Sequence, residues 1–387
     1  STPSSSKPRS LLRRSGICYD KADMTTTTQP PAVLPSYNLD GHKLHHHPDA
    51  VARWLKGETI YPLYVEFSPV GKCNHRCVFC AYDYLGYQDR KLDTEKTKQV
   101  LRDLGKGGTK SCLFAGEGEP LLHPDMPEFA RVAAGTGVDV GVCSNAALLT
   151  EGKAEALLPH LTFLRCSLNG GDAGTYAKVH QVKPQQFDLV LKNLERAAEL
   201  KRKHGWKVTL GVQFVMLPDN VQSVVPLAKR LAGIGVDYLA LKPYVLHPDQ
   251  VTLRWEGNFG LDEVEPVFQE AEKEATEAFQ VIARRDSFRK YGSRSYGKCL
   301  ALPFFAFVLS DGNVYTCGPF YGNDAHVYGN IHQQSFPEIW EGVRRKKVLD
   351  YGENRLDCAA CMPNCRPDAA NRFLWELKHP PQHVNFV

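Results

Sequence analysis

The 387-residue sequence predicts an α/β protein: a partial (β/α)6 barrel over residues 61–285, followed by a small, loop-rich, metal-stapled domain over 286–387. Three observations carry that prediction. From residue 61, short β-branched or aromatic runs alternate with helical stretches. The residues of chemical interest fall just after those runs, at the end of a parallel sheet where ligands bind. Five of the twelve cysteines, Cys299, Cys317, Cys358, Cys361 and Cys365, crowd the C-terminal part.

Residues 1–35 are rich in Ser, Thr and Pro without apolar periodicity and read as a disordered tail. Residues 36–60 form an N-terminal extension in which His45, His46 and His47 precede a short amphipathic helix. Adjacent histidines point in different directions on any regular backbone, so a loop or cap is expected there rather than a metal site. Strands are predicted at 61–68, 110–115, 138–143, 162–167, 207–215 and 237–243, with helices at about 93–105, 124–136, 150–158, 173–203 and 219–234. A helix at 261–280, a hairpin turning at Asp311-Gly312, a helix near 336–349 and a closing helix packed back on the barrel complete the expectation.

At 43% apolar content the chain can bury a sizeable core. Of the net charge of +4, residues 1–28 contribute +3 (five Lys/Arg against two Asp), which leaves no basic footprint for nucleic acid. No run of eighteen apolar residues and no apolar signal core occurs, so no membrane partner is expected and the cytoplasm is the expected location. There, cysteines read as metal ligands more readily than as disulfides. Cys112, Cys143 and Cys166 are expected to be small buried hydrophobes.

The stretch GKCNHRCVFCAYDYLGY places Cys73, Cys77 and Cys80 within eight positions. A structural zinc site needs four ligands, and His75 is the nearest fourth. Three thiolates can instead hold three irons of a [4Fe–4S] cluster and leave the fourth iron open. Cys73-x3-Cys77-x-Phe79-Cys80, with an aromatic before the third cysteine, resembles the radical SAM superfamily, and GEGEP after the second strand resembles its methionine-amine-binding motif.

The resemblance implies that the open iron chelates S-adenosylmethionine (SAM), whose reductive cleavage yields a 5′-deoxyadenosyl radical that abstracts hydrogen from substrate. It implies cofactor contacts from Phe79, Gly116, Glu117, Gly118 and Glu119, where Glu117 replaces the usual second glycine. Ser167 and Asn169, ending the fourth strand, are candidates for the ribose or the methionine carboxylate; a turn opening the next helix is the alternative. Gln213 and Lys242 are polar positions in apolar strands and are expected to face the barrel interior.

Cys299, Gly312-x4-Cys317 and Cys358-x2-Cys361-x3-Cys365 resemble SPASM and twitch auxiliary-cluster domains. This implies one auxiliary [4Fe–4S] cluster on Cys299, Cys317, Cys358 and Cys361, with Cys365 left over or displacing one of them. A cluster with four protein ligands suits electron transfer. The expected reaction is therefore oxidation of an alcohol carbon on a sugar or aminocyclitol-like molecule, with a flavodoxin- or ferredoxin-type reductant and Asp368 as a candidate base. Alternatives are an epimerase using Cys365 or Cys166 as hydrogen donor, a ribosomal-peptide maturase, for which residues 36–60 look short as a peptide-binding module, and a non-enzymatic zinc protein. His247, Arg254 and Trp255 in the loop 244–260 are candidates for substrate contact.

Overall fold

The computed structural model describes Tyr37, residues 39–252, Trp255 and residues 258–386. Six βα units follow one another: β1 (Tyr64–Phe67), β2 (Ser111–Phe114), β3 (Asp139–Ser144), β4 (Phe163–Ser167), β5 (Thr209–Met216) and β6 (Tyr238–Pro243). They pair in parallel in sequence order. A short N-terminal helix, α1 (Pro48–Leu55), precedes them, and the crossovers carry α2 (Thr94–Gly107), α3 (Met126–Gly135), α4 (Glu151–Leu157), α5 (Ala173–His180), α6 (Gln185–His204) and α7 (Val224–Ile234). All six predicted strands are present within a few residues of their expected limits.

Three departures matter. The helix expected over 173–203 is two helices, because Gln181 takes a left-handed conformation (φ 53°) and Pro184 cannot donate the hydrogen bond a continuous helix needs. The helix expected over 261–280 ends early as α8 (Leu261–Glu272), and the chain then forms a seventh parallel strand, β7 (Gln280–Ala283), against β6. After a short α9 (Arg285–Arg289), the hairpin β8 (Phe305–Val308) and β9 (Asn313–Tyr315) turns at Gly312 (φ 84°), and β8 pairs in parallel with β1. With β10 (Val327–Asn330) the result is one ten-stranded sheet in the order β10-β9-β8-β1-β2-β3-β4-β5-β6-β7. Helices α10 (Phe336–Glu341), α11 (Val343–Arg355) and α12 (Asp368–Lys378) complete the chain.

Strand alternation sorts the side chains into two sets. Val65, Phe67, Cys112, Phe114, Val140, Val142, Leu164, Cys166, Val212, Phe214 and Leu241 join the buried core with the helices. Each full burial of such a side chain contributes about 1.5–3 kcal/mol. The alternate positions Glu66, Cys143, Arg165, Ser167, Gln213 and Lys242 face the other way, into the concave side of the sheet. Cys112 and Cys166 are buried as expected. Cys143 is not a core hydrophobe: its parity is that of Arg165, its register partner on β4, and it keeps accessible surface.

Helix α12 packs Ala370 and Leu374 with Leu44, Val51, Ile60, Leu63 and Phe304, so it closes on the N-terminal helix and the entry to β8.

Candidate functional site

The loop after β1 carries Cys73, Cys77 and Cys80, all partly buried. Its backbone is tied to the end of α5 by Arg76 N–H to His180 O (3.1 Å) and Val78 N–H to Val179 O (3.0 Å). His180 also reaches the thiols directly, with Nδ1 3.2 Å from Cys77 Sγ. Because its Nε2 accepts from the Asn169 backbone N–H (3.1 Å), the proton sits on Nδ1 and is donated to sulfur.

The turn after β2 presses against this loop. A Cβ on Gly118 would lie 2.2 Å from Val70 O and 2.5 Å from Lys72 O, and one on Gly116 (φ 101°) would meet Ser68 Oγ, so both positions require glycine. The two glutamates between and after them diverge. Glu117 turns away, accepting from Ser310 Oγ (2.6 Å), Ser310 N (3.1 Å) and Arg90 (3.2 Å). Glu119 turns toward the end of β3, accepting from Ser144 Oγ (2.6 Å), Asn145 N (2.8 Å) and Leu121 N (3.0 Å). Burial raises the Glu119 carboxyl despite those bonds. Asn145 in turn donates to Asn74 of the cysteine loop (2.7 Å).

The donor set fits a strongly cationic guest. Cys73 is pushed up to about 12, by burial first and then by Glu119. Cys77 and Cys80 are raised as well, burial again being the main cause, and Cys73 and Cys80 both bear on Cys77. Three thiolates this close, beside a carboxylate, ionise together only against positive charge. A single ion is a poorer match: His75, Cys77 and His180 bring ligand atoms within 4.8 Å of one another, but both nitrogens of His180 already hold hydrogen bonds. His75 is buried with both ring nitrogens unpartnered, and burial lowers it to about 4.

The second cysteine group is assembled from three segments. Cys299, Cys317, Cys358 and Cys365 are buried and Cys361 is partly so. Cys365 faces Cys299, Cys317 and Cys361 electrostatically, whereas Cys358 faces Cys299 and Cys361. Two residues hold the group in place: Asn371 of α12 donates to Cys299 Sγ (3.3 Å), and Arg294, after α9, donates to the Cys361 (3.0 Å) and Met362 (2.6 Å) carbonyls.

Residues 67–239 match the family model of the radical SAM superfamily, and residues 299–366 match that of the SPASM iron–sulfur cluster-binding domain. The chain belongs to the radical SAM superfamily. Its cofactors are accordingly [4Fe–4S] clusters and SAM. The radical SAM enzymes it resembles are chemically diverse. An AdoMet-dependent heme synthase of Methanosarcina barkeri is 26% identical over 78% of this chain and 89% of its own length. The tungsten-containing aldehyde ferredoxin oxidoreductase cofactor-modifying protein of Pyrococcus furiosus is 24% identical over 73% of this chain and 81% of its own. Streptococcus suis SuiB, solved bound to SAM, shares the fold with a TM-score of 0.62 at 17% identity, over 82% of this chain and 75% of SuiB.

Within this radical SAM enzyme several sequence-stated candidates change place. Asn169 is fully buried and its side chain is used internally: Oδ1 accepts from Val215 N (2.6 Å) while the backbone N–H and Nδ2 (3.3 Å) engage His180. It buttresses His180. Asp368 receives Tyr296 Oη (2.8 Å), Arg294 (3.0 Å) and Arg372 (2.9 Å), so it is the hub of an ion-pair network at the start of α12. Cys365 lies among the C-terminal cysteines, and Cys166 joins the buried core with the helices.

Ser167 and Gln213 are register partners on β4 and β5 and keep accessible surface on the concave face. Phe79 packs with Val78, Val179, Val215 and Tyr244, and its ring lies edge-on to His180 at 5.8 Å. His247 stacks on Tyr84 (4.5 Å) and, with Trp255, Cys361 and Met362, lines a mostly apolar cavity of about 270 Å³ beside the auxiliary cysteines. Arg254 lies outside the described residues. His180 carries no local sequence signal: it is 103 residues from the thiol it bonds.

Proposed function

We propose that this enzyme cleaves SAM reductively at the Cys73/Cys77/Cys80 site, removes a hydrogen atom from a small polar molecule held in the concave space of the sheet, and oxidises its alcohol carbon with the auxiliary site as electron acceptor. When bound, the cofactors supply one-electron reduction of SAM at the first site and electron acceptance at the second.

The observation that carries this reading is that side chains from both cysteine regions meet on one space. Tyr82, two residues past Cys80, packs against Tyr321 with the rings tilted (centroids 5.1 Å apart) and lies in the field of Cys317 and Glu66. Arg366, next to Cys365, pairs with Glu66 of β1 (2.8 Å). Around this space Glu119, fixed by three hydrogen bonds, is the carboxylate left to pair with the ammonium of SAM. Gly118 lets the turn approach closely, Phe79 walls the thiol loop, and Ser167 and Gln213 offer a hydroxyl and an amide to the ribose or carboxylate. Cys299, Cys317, Cys358, Cys361 and Cys365 are the candidate ligands, Cys365 and Cys358 both bearing on Cys299.

The test is to incubate reduced enzyme and SAM in deuterated water with candidate alcohols. A ketone without carbon-bound solvent deuterium, with 5′-deoxyadenosine above the substrate-free rate, supports oxidation. A second reading, epimerisation, now rests on Cys143, whose thiol faces the concave space and is kept protonated by burial. Stereo-inverted product carrying deuterium, lost in Cys143→Ala, would establish it instead.

A further inference from the structure

The concave space has an unusual charge. Arg366 is in the field of Tyr64 and Glu66 on β1, Cys143 on β3 and Tyr82 of the cysteine loop. Lys242 on β6 faces Arg284, Arg366, Arg165 and Cys143. Arg165 on β4 faces Cys143, Tyr238 and Arg366, and Arg284, just after β7, faces Asp40, Arg165 and Arg366. Side chains from β1, β3, β4, β6 and β7 can bear on one another in this way only across the space around which the sheet curls. Desolvation is the largest influence on all four cations, yet none is fully buried, and the Arg366 side chain keeps 45% of its surface. Protein surrounds them, and water reaches them. That combination describes a chamber.

Its charge is not balanced from within. Arg366 has Glu66 (2.8 Å) and Arg284 has Asp40 (2.9 Å). Arg165 gives its Nε to the Tyr238 hydroxyl (2.9 Å), a neutral partner, and packs over the Phe163 ring (5.0 Å), while Lys242 makes no hydrogen bond or ion pair among the described residues. Four cations thus share two carboxylates. Cys143, the remaining ionisable neighbour, is raised by burial and stays a neutral thiol. Buried charge without a counter-charge is costly, and proteins tolerate it where a ligand supplies the missing sign. Arg165 presents a planar fork suited to carboxylate or phosphate, and Lys242 a compact point charge.

We propose that this chamber is the substrate site and that it selects a small molecule carrying carboxylate or phosphate groups, held by Arg165 and Lys242 and flanked by Arg284 and Arg366. The inference rests on the radical SAM reading above and narrows its substrate class: an amine-bearing aminocyclitol would place a fifth cation among four, whereas a hydroxy acid or a phosphorylated alcohol completes the charge. Which anionic group is bound follows from geometry at Arg165 and is left to the experiment's two arms.

The test uses the anaerobically prepared, cluster-loaded enzyme with SAM, and calorimetric titration at low salt with two probes, succinate for carboxylates and sulfate for phosphates. Neither probe changes charge between pH 7 and 9. At least one is expected to bind, with affinity weakened tenfold or more in Lys242→Met and in Arg165→Gln, but not in Lys346→Met on the exposed face of α11. Tighter succinate assigns a carboxylate substrate, and tighter sulfate a phosphate.

The wild-type enzyme supplies a second measurement that needs no variant. Burial and the facing Arg284, Arg366 and Arg165 lower Lys242 to about 7, so the free ammonium is lost as pH rises through that value. Anion binding should therefore take up a proton and weaken between pH 7 and 9. Binding of neither probe to wild type, or equal affinity in the Lys242 and Lys346 variants, overturns the proposal. Absence of 5′-deoxyadenosine formation by the same reduced wild-type sample would instead overturn the radical SAM reading beneath it.

Discussion

The two cysteine groups of this enzyme are built in opposite ways. The first is a single loop whose three thiols span eight residues and whose shape is set by what presses on it: α5 from one side, the glycine turn after β2 from the other. The second draws thiols from a span of 67 residues and is held by α12, through Asn371 and the Asp368 network. A locally encoded site can leave a coordination position open because one short loop supplies three ligands. A site gathered from distant segments depends on its scaffold, so its failures should be failures of folding first.

The largest test of that contrast is Cys73→Ala/Cys77→Ala/Cys80→Ala. SAM cleavage should disappear while iron and sulfide at the C-terminal group remain, as measured by metal analysis and spectroscopy. Residual 5′-deoxyadenosine in the triple variant would break the assignment. Next is Asp368→Ala. Breaking a buried ion pair from one side costs about 3–5 kcal/mol, so the melting temperature should fall and the auxiliary iron should be lost with it. A variant with unchanged stability and iron content, yet without product, would return Asp368 to the role of a base.

Glu119→Gln keeps the size of the side chain and removes the charge. SAM affinity should weaken by roughly tenfold or more, in line with about 1.5–3 kcal/mol for a charge-assisted hydrogen bond. Glu117→Gln should leave SAM affinity within about twofold and lower stability instead, since its carboxylate joins Ser310 and Arg90. Equal effects of the two on SAM would blur the distinction drawn between them.

The smallest expected effect is at His180. His180→Phe removes the proton donated to Cys77 Sγ, a bond worth about 1 kcal/mol, which corresponds to roughly 40 mV for one electron. The reduction potential of the first cluster should become more negative by that order in a redox titration, while the auxiliary potential stays put. A shift in both would mean that His180 supports the fold generally.

Much of this was legible in the chain. The period-2 apolar runs specify the six strands because a buried strand face has to be apolar, and helix–strand alternation then forces them into parallel order. The Cys73/Cys77/Cys80 loop and the glycines after β2 are readable because ligand spacing and close backbone approach are local demands. β7 was hidden because QVIA follows a helical pattern with no turn signal of its own. The joining of β8 to β1 was hidden because pairing partners 241 residues apart leave no periodicity behind.

The difference between Glu117 and Glu119 shows where the sequence stops. Two carboxylates two residues apart look equivalent in a glycine turn; Ser310 of the hairpin claims one and Ser144 of β3 frames the other, and both partners arrive through tertiary contact. Asp368 was singled out by its neighbours in the chain, and tertiary contact is what joins its carboxylate to Tyr296 and Arg294. Lys242 was legible as an inward position, but Arg165, Arg284 and Arg366 are unremarkable cations on separate segments until the sheet curls and brings them to it. The sequence determined the six core strands and the thiol loop, because each follows from periodicity or short spacing, and the resemblance to the radical SAM superfamily implied the cofactor class. The fold alone decided which side chains share the chamber, because electrostatic company is set by distance in space.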